Sequence, residues 1–204
     1  MRPRTKRQRQ GGNVLVEFSL VMVFLCPMLL GMLALGLNVG RHIQVTQVAR
    51  DAGHMYARFV DFSLVGNKNI LVRLADGMGM TVDGGNGVVI LSKITYIANE
   101  DCLAAGATGG DCVNRDSYVF TNRLYIGNRA LKSSPYGTPV DSGLDAKGNV
   151  IDIYRDASAR AIGFGDTLTL NRGEYAFLAE TYFRGVLFTF PGLAGRDIFV
   201  RTIF

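Results

Sequence analysis

Residues 18–40 read FSLVMVFLCPMLLGMLALGLNVG, a run without one charged side chain, bounded by Glu17 and Arg41. At 1.5 Å per residue a helix over this run is about 35 Å long, against roughly 30 Å for the hydrocarbon core of a bilayer. Core helices of soluble proteins seldom go so far without a charge, so the run predicts one membrane span. Ahead of it, Arg2, Arg4, Lys6, Arg7 and Arg9 form a basic leader. Lys and Arg gathered before a first span keep that end in the cytoplasm, so the residues after Arg41 are expected outside, in the periplasm of a cell with two membranes. A cleavable secretory signal is the alternative. Its apolar core is normally shorter, and the best small-x-small site, Ala34-Leu35-Gly36, lies inside the run.

Charge placement excludes other classes. The chain has 204 residues with 22 Lys+Arg against 17 Asp+Glu, a net charge of +5. Five of the basic residues sit in the leader, so the remainder is neutral. A neutral body without a basic patch argues against a nucleic-acid partner. With 48% hydrophobic and 19% charged residues the chain is too apolar for disorder. Three Cys exclude a disulfide-dense miniprotein and a multi-Cys zinc module. The two His, His42 and His54, are too far apart in sequence for an i, i+4 ligand pair.

Gly12 ends the basic leader, and Glu17 follows five positions later with the apolar run behind it. This resembles the type IV prepilin cleavage site, where a peptidase cuts after the Gly on the cytoplasmic side and Glu is the fifth mature residue. The cut here would fall between Gly12 and Asn13. The wider segment Arg9-Gln10-Gly11-Gly12-Asn13-Val14-Leu15-Val16-Glu17-Phe18-Ser19-Leu20-Val21, then Pro27, Gly40-Arg41 and Val48-Ala49-Arg50-Asp51-Ala52-Gly53, is similar to the TadE-type pseudopilins of tight adherence (Tad/Flp) pili. The similarity is close over about residues 9–55, with a looser echo at Glu174–Phe190 and Pro191-Gly192-Leu193. The TadE, TadF and TadG branches share the N-terminal pattern, and the sequence does not choose among them. The resemblance implies a prepilin peptidase, other Tad pilins and minor pilins, and pilus platform proteins as partners. It also implies that Glu17 and Phe18 take part in subunit assembly. Many pilins carry Phe at the first mature position; Asn13 stands there in this chain, which leaves N-methylation open.

Physical chemistry gives Glu17 two readings of its own. A carboxylate carried into a membrane is costly, and pairing with a new α-amine at Asn13 of a neighbouring subunit would offset that cost in low dielectric. The other reading keeps Glu17 at the headgroups, reaching water. Cleavage after Gly12 also removes the five leader charges, which makes extraction of the helix from the membrane cheaper.

Beyond Arg41 the apolar positions Val45, Val48, Ala52, Met55, Phe59 and Phe62 alternate three and four apart, the stripe of an amphipathic helix. The sequence therefore predicts one long helix over residues 13–62, with 18–40 in the membrane, and an α+β globular domain over 63–204, periplasmic or extracellular in the pilus. Pro27 lacks an amide and is expected to kink the helix. Gly31, Gly36 and Gly40 offer close helix approach. Asn67–Asp76 reads as a short helix, capped by Asn67 or Asn69 and stopped by Gly77. Gly87–Ile97, Ser117–Ile126, Glu174–Phe190 and Asp197–Phe204 are rich in β-branched and aromatic residues and read as strands, the third alternating as if half-exposed. The expected architecture is pilin-like: a long N-terminal membrane-spanning helix packed against an antiparallel β-sheet.

The polar stretch of about Lys132–Asp166, with a short strand at Val150–Tyr154, reads as a surface connection, either a subunit contact or a variable loop. Cys102 and Cys112 flank a short loop and are expected to form a disulfide in an oxidising compartment, while Cys26 packs in the span. Asp141, Asp145, Asp152 and Asp156 lack the spacing of a calcium loop. No catalytic constellation, metal set or cofactor motif is found in the sequence. The expectation is a non-enzymatic minor pilin without a cofactor. The alternative is a permanently membrane-anchored periplasmic binding protein or enzyme.

Overall fold

The computed structural model describes residues 13–108, 110–185 and 196–204, and the chain divides into two units, Met1–Arg41 and His42–Phe204. Helix α1 covers Asn13–Ala57. The leader and Gly12 lie outside the described residues, as do residues 186–190 and Pro191-Gly192-Leu193.

In the second unit, α2 spans Val65–Leu74 and α3 Asn99–Ala104. Short strands β1 (Met80–Thr81) and β2 (Gly84–Gly85) make a small hairpin. The main sheet has β3 (Gly87–Ile97), β4 (Ser117–Gly127), β5 (Tyr175–Phe183) and β6 (Ile198–Ile203), in the order β4-β3-β5-β6 and antiparallel throughout. The fold is α+β, with a long N-terminal apolar helix whose residues 42–57 pack on this sheet.

Side chains opposite one another in an antiparallel ladder share a face. Val89, Leu91, Ile126, Ala179 and Phe183 therefore line one face. They bury Val45, Val48, Ala52 and Tyr56 of α1 and Leu71 of α2. Phe204 closes this layer. Its ring meets that of His54 at a tilt, 4.5 Å between centres, where a side chain at Gly53 would collide with it.

The opposite face carries Ile94, Phe120, Ala176 and Leu178, and here the structure departs from the expectation. Residues 132–170 are not a surface excursion: Tyr136, Val150, Ala159, Ala161, Phe164 and Leu170 bury themselves against that face. The stretch is built from short 3-10 turns and isolated bridges, Asn122↔Asn149, Val119↔Arg160 and Leu144↔Val150, with no strand at Val150–Tyr154. The sheet is covered on both sides. So β5 alternates in direction but not in exposure: Ala176, Leu178, Ala179, Glu180, Thr181 and Phe183 are all buried, which corrects the half-exposed reading.

Two helix ends also differ. Helix α1 stops at Ala57 because Phe59 takes a left-handed conformation (φ 63°) and swings its ring out to 77% exposure, leaving the apolar stripe. Phe62 returns to the core from the following turn. Helix α2 starts two residues earlier than expected and has Leu64 at its N-cap without a side-chain bond. Asn67 Nδ2 instead donates to the Asp61 carbonyl at 2.7 Å.

Candidate functional site

Over residues 14–40 the side chains of α1 are apolar and almost all exposed, Phe18 and Leu20 at 59% each and Phe24 at 71%. Glu17 is the one charged residue between Asn13 and Gly40, and it is exposed. The adjacent Ser19 hydroxyl turns inward and donates to the Leu15 carbonyl, so it presents no free donor to lipid. Pro27 lies within the continuous helix, where its missing amide leaves the Val23 carbonyl without the usual intrahelical donor. Nothing stands within 4 Å of a Cβ built at Gly31, Gly36 or Gly40, so each leaves room for a close neighbour, though Gly31 and Gly40 lie on opposite sides of the helix. Cys26 is a free, exposed thiol whose S–H points to Met22 Sδ at 3.9 Å. The helix is long and apolar enough to cross a membrane.

The second unit holds the remaining expected residues. Cys102 and Cys112 form a disulfide with Cα atoms 5.9 Å apart, beside Ile97, Ala107 and Val119. The bridge pins α3, whose first turn is closed by the Ala98 amide donating to Asp101 Oδ2 at 3.0 Å. Three aspartates of the connection serve the backbone. Asp145 accepts from the Lys147 and Asn149 amides at 2.8 and 2.7 Å, Asp152 from Tyr154 and Arg155 at 3.0 Å each, and Asp156 from Ser158 at 2.8 Å. Asp141 pairs with Arg129 at 2.6 Å. The Asn149 side-chain and backbone N–H groups hold the Asp145 carboxyl below the usual carboxylate range.

Sequence reasoning missed a buried charge network. Arg123 of β4 and Glu180 of β5 are each 1% exposed, on the face beneath the connection. Arg123 Nη1 lies 3.9 Å from Glu180 Oε2, and Arg201 Nε of β6 lies 3.1 Å from Glu180 Oε1. Arg123 Nη2 donates to the Gly137 carbonyl at 2.8 Å, and its guanidinium carbon sits 4.1 Å from the Phe120 ring centre. Arg201 Nη1 donates to the Tyr136 hydroxyl at 2.8 Å, which meets Thr167 Oγ1 at 2.8 Å. Burial lowers the pKa of Arg123, with Tyr125 and Glu180 opposing the shift. One charged residue per strand amid β-branched and aromatic neighbours was the available signal.

It also missed the cluster where α1 ends. Lys93 Nζ lies 3.8 Å from the centre of the Tyr175 ring, and at 5.7 and 5.8 Å from those of Phe177 and Phe59. Lys93 is at a bulge in the β3–β4 ladder, where Asn122 and Phe120 oppose Lys93 and Ile94 and leave Thr121 over. Among the described residues no group of His, Cys, Asp and Glu is placed to hold a metal.

The decisive likeness covers the first element. Residues 12–54 match the family model described as TadE-like protein. This segment is similar to TadE-like proteins. No curated protein and no solved structure matches the chain. The TadE-like segment begins at Gly12, takes in Glu17, Phe18 and Pro27, and ends at His54, three residues before α1 does. The sheet, the disulfide and the buried charges lie beyond it.

Proposed function

We propose that this chain is a minor pilin, or pseudopilin, of a Tad-type type IV pilus. In this reading residues 18–40 hold it in the inner membrane, with the leader in the cytoplasm and the domain after Arg41 in the periplasm. Prepilin peptidase cuts after Gly12, and the mature subunit joins other Tad pilins and minor pilins on the platform proteins, in pilus assembly and adhesion. Its role is structural and not enzymatic. The observation that carries the reading is the apolar, outward-facing surface of α1 over 14–40, with Glu17 as its single charge, inside the TadE-like match.

Such a helix leaves its surface to lipid before assembly and to other helices after it. A lone carboxylate at its start costs a few kcal/mol to carry inward, and a neighbour's new α-amine is the natural counter-charge. Gly12→Val is expected to leave the leader attached and to abolish incorporation into pili. Glu17→Ala is expected to keep the protein in the membrane while lowering pilus yield. Wild-type piliation with either variant would count against the proposal and favour a permanently anchored periplasmic binding protein or enzyme.

A further inference from the structure

Helix α1 ends in a Schellman turn. The Val60 amide donates to the Met55 carbonyl at 3.1 Å and the Phe59 amide to the Tyr56 carbonyl at 3.0 Å. That turn sets one residue left-handed, and the position normally falls to Gly. Here Phe59 occupies it at φ 63° with its ring 77% exposed, so little burial offsets the strain. A strained residue that buries so little of its ring marks a place to look for function.

The Phe59 ring forms one wall of a cavity of about 230 Å³. Phe177 stands edge-on to it at 5.8 Å, and Leu124 and Val60 add apolar lining. Lys93 reaches in among the rings, and partial burial lowers its pKa. Its ammonium makes no ion pair or hydrogen bond to any described residue. Asp61, the acidic lining residue, is engaged elsewhere: its Oδ1 accepts from the Ser63 amide at 2.9 Å and the Ser63 hydroxyl at 2.6 Å. Lys147 adds a second ammonium.

We propose that this cavity binds a carboxylate carried on a small apolar body. The apolar body rests against Phe59 and Phe177, and the carboxylate accepts from the Lys93 ammonium. The two ammonium groups outweigh the single Asp61 carboxylate and disfavour a cation, and a neutral apolar guest would leave Lys93 further desolvated without an acceptor. The volume admits one ring-sized group. The same chemistry is offered by a free arylalkanoate and by an acidic residue beside an aromatic one in a partner polypeptide. The proposal does not depend on the pilus reading.

The test is saturation-transfer NMR on the full chain in nanodiscs, with empty nanodiscs as control. The probes are 3-phenylpropionate, its neutral analogue 3-phenylpropanol, and an end-blocked Phe-Glu peptide. Saturable binding of 3-phenylpropionate or the peptide is expected, with the alcohol weaker by about tenfold or more, as loss of a charge-assisted bond implies. Binding of 3-phenylpropionate alone assigns a free acid; binding of the peptide assigns a polypeptide partner. Lys93→Met should lose the same factor. Phe59→Gly relieves the backbone, so its melting temperature should be no lower than wild type while binding falls. No saturable binding by either acid, or unchanged affinity in both variants, overturns the proposal.

Discussion

Replacing Glu180 by Gln keeps the shape of the side chain and removes only its charge. Among the described residues Glu180 is the one carboxylate paired with Arg123, and both side chains are 0% exposed. Arg123 would then remain beneath residues 132–170 as a guanidinium without a counter-ion. Breaking a buried ion pair on one side costs about 3–5 kcal/mol, because the surviving charge cannot reach water. For a chain of this size that is a fall in melting temperature of about 6–20 °C. Arg201 supplies an internal comparison. Its side chain is 27% exposed, and removing it leaves Glu180 with Arg123. Arg201→Gln should therefore cost less, about 1–3 kcal/mol for its hydrogen bonds to Glu180 and Tyr136. Removing both buried charges, Arg123→Met with Glu180→Leu, should recover most of the Glu180→Gln loss, since apolar replacements of buried pairs are often near neutral. The assay is thermal unfolding of the full chain in detergent micelles, followed by circular dichroism. A Glu180→Gln drop under about 2 °C, or one equal to that of Arg201→Gln, would refute the argument that Arg123 depends on this carboxylate.

Other outcomes follow from the same structure. Phe164→Ala removes a ring with no exposure, packed against Tyr118 and Tyr136 at 5.7 and 5.3 Å. It should cost about 3–5 kcal/mol and open residues 132–170 to limited proteolysis, which would be unaffected if this stretch were a loose surface loop. Cys102→Ser with Cys112→Ser opens a bridge across a separation of 10, and the loss of roughly 2–3 kcal/mol should lower the melting temperature by about 4–12 °C. An unchanged melting curve would show that the loop is closed without the bond. Asp145 gives a pH dependence of known sign. Its folded pKa is depressed by the Asn149 and Lys147 N–H groups, so its contribution is present above the ordinary carboxylate pKa of about 4 and is lost as pH falls through the lower folded value. Hydrogen exchange at the Asn149 amide should quicken on acidification in the wild type, beyond the intrinsic pH effect, and this acid-dependent component should vanish in Asp145→Asn.

The parts of the fold legible in sequence were those with a regular period. The run over 18–40 and the stripe Val45, Val48 and Ala52 announced α1, and β-branched clusters marked Gly87–Ile97 with the boundaries that β3 takes. The end of α1 was not legible, because Phe59 and Phe62 continue the stripe and the Schellman turn holds Phe where Gly would have signalled a stop. The N-cap of α2 was misplaced because Leu64 caps it with backbone alone, while the Asn residues that invited the reading lie inside the helix. The layer formed by residues 132–170 was hidden for a different reason. Its anchors, Tyr136, Val150, Ala159, Ala161, Phe164 and Leu170, fall at irregular intervals among Gly, Pro and Ser, so no periodic pattern reports their common face. That omission left the strand of Glu180 reading as half-exposed, although the covering layer buries both Glu180 and Arg123. Of the candidate site, Glu17, Phe18 and Pro27 stand out in the sequence by their places in one linear motif. Lys93 and its aromatic neighbours converge from two strands and the end of α1, which no linear motif reports.

The first residue of the mature protein tests the central claim most directly. Intact-mass and N-terminal peptide spectrometry on the chain isolated from its native host's membranes should find Asn13 at the start, with the five leader charges gone and Glu17 one helical turn inside. A chain that still carries Arg2 through Gly12 would contradict processing, and with it the assembly role assigned to Glu17.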